Sequence, residues 1–168
     1  MPEIPSVGVL HRVRPDDPRA AVLLQDLERE YDDRYGDLSS GMASAEMTRY
    51  PAERFLPPEG AFVLLEVDDA IVAGGAFMRY DATTAEFKRI WTAPEHRRRG
   101  HSRAVLRALE AEAAALGYAR AYLTTGPRQP EAQRLYEATG WTELPPIPIG
   151  RGLVAHAYEK ALDGAAAG

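Results

Sequence analysis

The chain has 168 residues, a formal net charge of −5, 45% apolar and 27% charged residues, and no cysteine. That length suits one domain with a sizeable core, and the missing thiol excludes disulfides and any cysteine-linked acyl-enzyme. The acidic balance argues against general nucleic-acid binding and suits a cationic substrate.

Met1 to Leu10 has neither a basic start nor a hydrophobic signal segment. No run of about eighteen apolar residues could span a bilayer, so a cytoplasmic protein with no membrane partner is expected. Val7 to Val13 alternates as a first strand, and Asp17-Pro18 supplies an N-cap followed by proline at the first helical position. Leu24, Leu27, Tyr31 and Arg34 then follow helical spacing, while Glu28, Glu30, Asp32 and Asp33 read as a solvated acidic face. Gly36 to Gly60 is rich in Gly, Ser and Pro around a short helix expected at Ala45 to Arg49. Its length is unusual for a plain connector and marks it as a lid beside the acceptor site.

Ala61 to Val67, the turn Asp68-Asp69 and Ile71 to Tyr80 predict a β-hairpin, with a bulge at Gly74-Gly75. Asp81 to Thr84 turns the chain into a strand from Glu86 to Thr92, extending an antiparallel meander that Pro94 ends. Arg97, Arg98 and Arg99 lead into Gly100, and Val105, Leu106, Leu109, Ala113 and Leu116 share one helical face that Gly117 closes. Arg120 to Thr124 is a short strand, which this helical crossover places parallel to the Glu86 strand. Pro130 opens another helix, with Ala132, Leu135, Tyr136 and Thr139 on one side, Gln129 near its cap and Gly140 as its stop. Pro145, Pro146 and Pro148 are expected to break the chain before a final strand at Leu153 to Lys160, and a tail from Asp163 is expected to be disordered.

The functional signal lies at the turn into the Gly100 helix. A helix N-terminus leaves N–H groups unpaired and carries partial positive charge. The adjacent arginines are electrostatically misplaced there unless an anion offsets them, and Gly100 lets a phosphate approach the backbone. The bland alternative is a basic helix start standing in water.

The sequence Arg97-Arg98-Arg99-Gly100-His101-Ser102 resembles the pyrophosphate loop of the GNAT superfamily of acyl-CoA N-acyltransferases. That loop reads Arg or Gln, two residues, Gly, one residue, Gly or Ala, so Ser102 departs from it. The preceding EFKRIWTAPEHR resembles the family's fourth strand, and LYEATGW, Leu135 to Trp141, its later helix and turn. The resemblance covers about Thr84 to Trp141.

It implies a GNAT-like α/β fold of the α+β type, in one acetyltransferase domain over residues 1–162. The expected sheet is mixed and mostly antiparallel, with a central parallel pair and flanking helices. It implies acetyl-CoA as cosubstrate, no metal and an amine acceptor, in a monomer or homodimer. The pantetheine arm would lie along the backbone of Ile90, Trp91 and Thr92. The pyrophosphate would sit at Arg97, Arg98, Arg99, Gly100, His101, Ser102 and Arg103, with a further contact at Gln129. Tyr136 matches the family's general acid, against the plainer reading of a core tyrosine. Glu86 matches an acidic residue near the substrate and is the candidate base, against a cross-strand ion pair with a lysine or arginine. The four histidines show no metal-binding spacing. The expected activity is direct acetyl transfer to a primary amine. The alternatives are a non-catalytic acyl-CoA sensor and, weakest because no Lys-Ser or Lys-Thr follows the glycine, a nucleotide-binding protein.

Overall fold

The computed structural model describes residues 8–35, 50–126, 130–150 and 152–162, without the side chains of residues 31, 32, 34 and 35. The short helix expected at 45–49, Gln129 and the tail from Asp163 lie outside the described residues. So do the side chains of Tyr31, Asp32 and Arg34.

Among the described residues, seven strands form one sheet: β1 (Val9–Arg12), β2 (Ala61–Val67), β3 (Ala70–Arg79), β4 (Thr84–Thr92), β5 (Arg120–Thr125), β6 (Thr142–Gly150) and β7 (Leu153–Ala161). Their spatial order is β1-β2-β3-β4-β5-β7-β6, antiparallel throughout except for the parallel pair of β4 and β5. The mixed sheet expected from the sequence is thus present. Asp68 and Asp69 take φ of 51° and 63° in the turn between β2 and β3, the left-handed pair that a two-residue hairpin loop needs.

Alternation along β2 separates two cores. Ala61, Val63 and Leu65 point to one face, where helix α2 (His101–Ala115) buries Val105, Leu106, Leu109 and Ala113. Phe62 and Leu64 point to the other, where helix α1 (Ala21–Tyr35) buries Leu23 beside Phe55, Met78 and Trp91. Each fully buried Leu or Phe side chain contributes about 1.5–3 kcal/mol, so these layers hold α1 and α2 against opposite sides of the same strands. Helix α3 (Pro130–Ala138) joins the first core through Tyr136.

Three local expectations are revised. Asp17 caps a single 3-10 turn, Pro18–Ala20, by accepting the Arg19 N–H at 2.8 Å, and α1 starts only after that turn. Among the described side chains of α1, Leu23 and Asp26 are buried, with Leu24 and Leu27 partly buried beside them. The proline run does not break the chain: Pro145, Pro146 and Pro148 lie within β6, which among the described residues pairs only with β7, at the sheet's edge. An edge strand tolerates proline because the missing N–H need not serve a second neighbour, and the ladder shifts register between Leu144 and Ile147 and between Pro148 and Gly150.

Candidate active-site cleft

β4 and β5 pair only over Thr84–Glu86 against Arg120–Tyr122. Beyond Glu86 the two strands continue, to Thr92 and Thr125, without a ladder between them. That side of the β4 backbone therefore faces a split, where an extended ligand can bond like an added strand.

A bulge sits on the same stretch. Gly74 pairs with Trp91 and Ala76 with Lys88, so Arg89 and Ile90 together oppose Gly75. The expectation of an irregularity at Gly74-Gly75 is met, but the extra residue belongs to β4, where Arg89 takes φ of 60°. At Gly75 the packing is close: a Cβ would stand 2.7 Å from Ile90 Cδ1 and 3.0 Å from Leu109 Cδ1, so those side-chain ends would have to shift. The bulge resets the alternation, so that Phe87 and Ile90 face the α2 core while Trp91 faces α1.

After β4 the chain makes a short turn, Pro94–His96, and reaches Arg98 and Gly100 with φ of 66° and 82°. Gly100 occupies the N-cap of α2, where a substituted Cβ would meet nothing within 4 Å. The glycine is required for its backbone conformation, and the open space beside it leaves the helix N-terminus approachable. The Ser102 and Thr92 hydroxyls are 2.6 Å apart, tying the first turn of α2 to the end of β4. Ser102 is therefore accommodated by a bond that Gly or Ala could not make.

These elements enclose a cleft of about 450 Å³. Ile90, Trp91 and Thr92 of β4 line it together with Arg97, Arg98, Gly100, His101, Ser102 and Arg103. Ala132, Leu135 and Tyr136 of α3 close one side, and Leu27 and Glu30 of α1 the other. Arg99 is exposed and Glu86 is part-buried, and neither lines the cleft. A depression of about 540 Å³ at the β1 edge, lined by residues that include Leu10, Arg12 and Glu112, contains none of the expected site residues.

The acidic face of α1 is not simply solvated. Glu30 accepts a hydrogen bond from Arg97, and one turn earlier Asp26, buried, accepts the Trp91 indole N–H at 2.6 Å with Arg29 3.5 Å away. Sequence reasoning missed both roles. The available signal was their spacing of four residues, which puts both carboxylates on one helical face above β4. His101 is held below the ordinary imidazole value, first by burial and then by His96 and Arg99, so the charge of this loop at neutral pH comes from its arginines.

Tyr136 both lines the cleft and belongs to the core, with 5% of its surface exposed and its ring centroid 5.7 Å from Trp141 and 5.6 Å from Tyr158. Burial, and secondarily Tyr158, pushes its phenol well above the ordinary value, so it stays protonated across the physiological range. Glu86 sits at the vertex of the split, in the last residue pair before β4 and β5 diverge, opposite Tyr122. Its carboxylate lies 3.6 Å from Lys88 Nζ, an ion pair along the strand instead of across it. Burial and then Tyr80 and Glu86 raise the Tyr122 phenol, and the Tyr80 and Tyr122 ring centroids are 4.9 Å apart with their planes tilted by 35°.

The acetyltransferase (GNAT) family profile matches residues 22–141, and the chain belongs to that family. Solved structures share the fold at low identity. An acetyltransferase from Streptococcus agalactiae 2603 superposes with a TM-score of 0.70 at 21% identity, covering 92% of this chain and 98% of that one. An aminoglycoside 6'-N-acetyltransferase complexed with coenzyme A gives 0.68 at 16% identity, over 92% and 97% of the two chains. A GNAT family acetyltransferase from Elizabethkingia anophelis with acetyl-CoA bound gives 0.64 at 17% identity, over 92% and 98%. A search of curated protein sequences gives no match.

Proposed function

We propose that the chain is a cytoplasmic N-acetyltransferase, a single domain active as a monomer or homodimer. It would move an acetyl group from acetyl-CoA directly to a primary amine on a small molecule or peptide. The observation that carries this reading is the meeting, in one cleft, of the diverging β4 backbone, the α2 N-terminus under Gly100 and the Tyr136 phenol. The coenzyme A and acetyl-CoA bound to two proteins of the same fold support it.

Acetyl-CoA supplies the acyl group as an activated thioester. The backbone at Ile90, Trp91 and Thr92 bonds the pantetheine arm, and Arg97, Arg98 and the amides at the start of α2 hold the pyrophosphate. Arg99, being exposed and outside the cleft, contributes only long-range attraction. Tyr136 keeps its proton too tightly to surrender it to a thiolate of ordinary pKa about 8.5. It therefore stabilises the departing sulfur by donating a hydrogen bond, while water supplies the proton. Glu86 accepts the proton of the incoming ammonium, directly or through water, because only a neutral amine attacks a thioester. With no cysteine to carry the acetyl group, transfer takes place within a ternary complex.

The test is a panel of amines, amino acids, polyamines, aminoglycosides and peptides incubated with acetyl-CoA, with acetylated products and free CoA read by mass spectrometry. At least one acceptor should gain an acetyl group with stoichiometric CoA release. Tight acetyl-CoA binding with no acetylated product from any of them would instead indicate a non-catalytic acyl-CoA sensor.

A further inference from the structure

The vertex of the split carries more than a base. Glu86 and Lys88 share one face of β4, with side-chain exposures of only 14% and 16%, and their charged atoms are 3.6 Å apart. The Lys88 ammonium also stands 5.1 Å over the Tyr50 ring, and the Arg54 guanidinium lies 5.8 Å from the same ring. Tyr50 packs edge-on against Phe55 at 6.3 Å, and the Arg89 guanidinium stands 5.0 Å over Phe55. Three cations thus frame one aromatic pair beside the candidate base, and Arg89 is itself the left-handed residue of the bulge.

This arrangement discriminates among amines. A simple amine or polyamine reaching Glu86 must bring its positive charge beside that of Lys88, in a part-buried place where like charges are poorly screened. An acceptor that carries its own carboxylate close to the amine avoids the conflict. Its carboxylate exchanges onto Lys88, with Arg89 adjacent, while its ammonium turns to Glu86. The acceptor's two charges then alternate with those of Glu86 and Lys88.

We propose that the acceptor is an amino acid, an amine bearing a carboxylate, and that Lys88 is the residue that selects it. This rests on the acetyltransferase reading above. The transfer itself adds no new chemistry: the amine nitrogen bonds to the acetyl carbon, the carbon–sulfur bond breaks, and the amine proton leaves through Glu86.

The experiment compares, for each of the twenty standard amino acids, the acid, the matching amine without its carboxylate, and the matching deaminated acid. With acetyl-CoA, the best amino acid should exceed its decarboxylated amine in kcat/KM by tenfold or more. Lys88→Gln should collapse that preference to within about threefold through KM, leave acetyl-CoA affinity intact and keep the wild-type circular dichroism, and Lys88→Arg should restore most of it. A binding arm needs no turnover: titrated alone, the matching deaminated acid should bind wild type and lose about tenfold affinity in Lys88→Gln. Amines without carboxylates turned over as fast as amino acids, or deaminated acids whose binding ignores Lys88→Gln, overturn the proposal. If no amine is acetylated yet the deaminated acid binds in a Lys88-dependent way, the carboxylate site stands and the transferase reading fails.

Discussion

Asp26 of α1 accepts the indole N–H of Trp91 at 2.6 Å, and both residues are buried. One helical turn on, Glu30 holds Arg97. α1 is thereby fastened at two points to the strand and loop that shape the cleft, with its carboxylates doing the fastening. Asp26→Ala would leave the indole N–H buried and unpaired, which costs about 1–3 kcal/mol. Urea denaturation should show that loss, with Asp26→Asn retaining much of the stability because its amide oxygen still accepts. Equal midpoints for Asp26→Ala and wild type would show that the bond is energetically idle.

The arginines of the cradle should separate by position. Arg98 lines the cleft and Arg99 does not. Arg98→Glu should therefore weaken acetyl-CoA binding in calorimetry by at least tenfold, and Arg99→Glu by less than about threefold at physiological salt, where the Debye length is roughly 8 Å.

Glu30 places a negative charge where phosphates are expected and engages Arg97 from the side. Glu30→Gln should raise acetyl-CoA affinity two- to fivefold, matching the roughly 0.5–1 kcal/mol of a partly exposed ion pair. The gain should shrink as salt rises, and a fall in affinity would show that the pair organises the loop instead of competing for it.

Tyr136→Phe should keep donor affinity within a few-fold and lower turnover about a hundredfold, the cost of losing one hydrogen-bond donor aimed at the departing sulfur. It also carries a stability signature. The folded phenol titrates well above its unfolded value near 10, so the stabilisation it contributes is complete below about pH 10 and is lost above it. Above that pH the unfolded chain releases a proton that the folded chain retains, giving a slope of up to about −1.4 kcal/mol per pH unit for this residue. Tyr136→Phe should flatten the alkaline limb of the stability curve by that share, leaving the contributions of Tyr122 and Tyr158, which are raised in the same direction.

Glu86→Gln preserves size and hydrogen bonding while removing the base. Turnover near neutrality should fall with donor binding intact, and should recover in part as pH rises toward the alkylamine value of about 10.4, where free neutral amine accumulates. Wild-type rates across the pH range would return Glu86 to its ion pair with Lys88.

The parts legible in the sequence were those set by short-range rules. Asp68-Asp69 announced a tight turn, Gly100 a close approach to the backbone, and Gly117 and Gly140 two helix stops, and in the structure each has a positive φ. The parallel crossover followed from a helix joining two strands. What stayed hidden depends on partners distant in the chain. Asp26 and Trp91 are 65 residues apart and Glu30 and Arg97 are 67 apart, and no local pattern pairs them. The prolines of β6 misled for the same reason: proline's meaning depends on whether the strand has one neighbour or two, which only the sheet order decides.

That edge has a further effect on how the molecule meets its own copies. Along β6, Pro145, Pro146 and Pro148 lack the N–H groups with which a foreign strand would register, and the irregular ladder with β7 bends what remains. Among the described residues the opposite margin, β1, spans four residues. Seven strands could propagate from one molecule to the next as a continuous ribbon, but one border is chemically blunt and the other too short to act as a template. Among the described residues, both margins of the sheet therefore discourage a foreign strand from extending it.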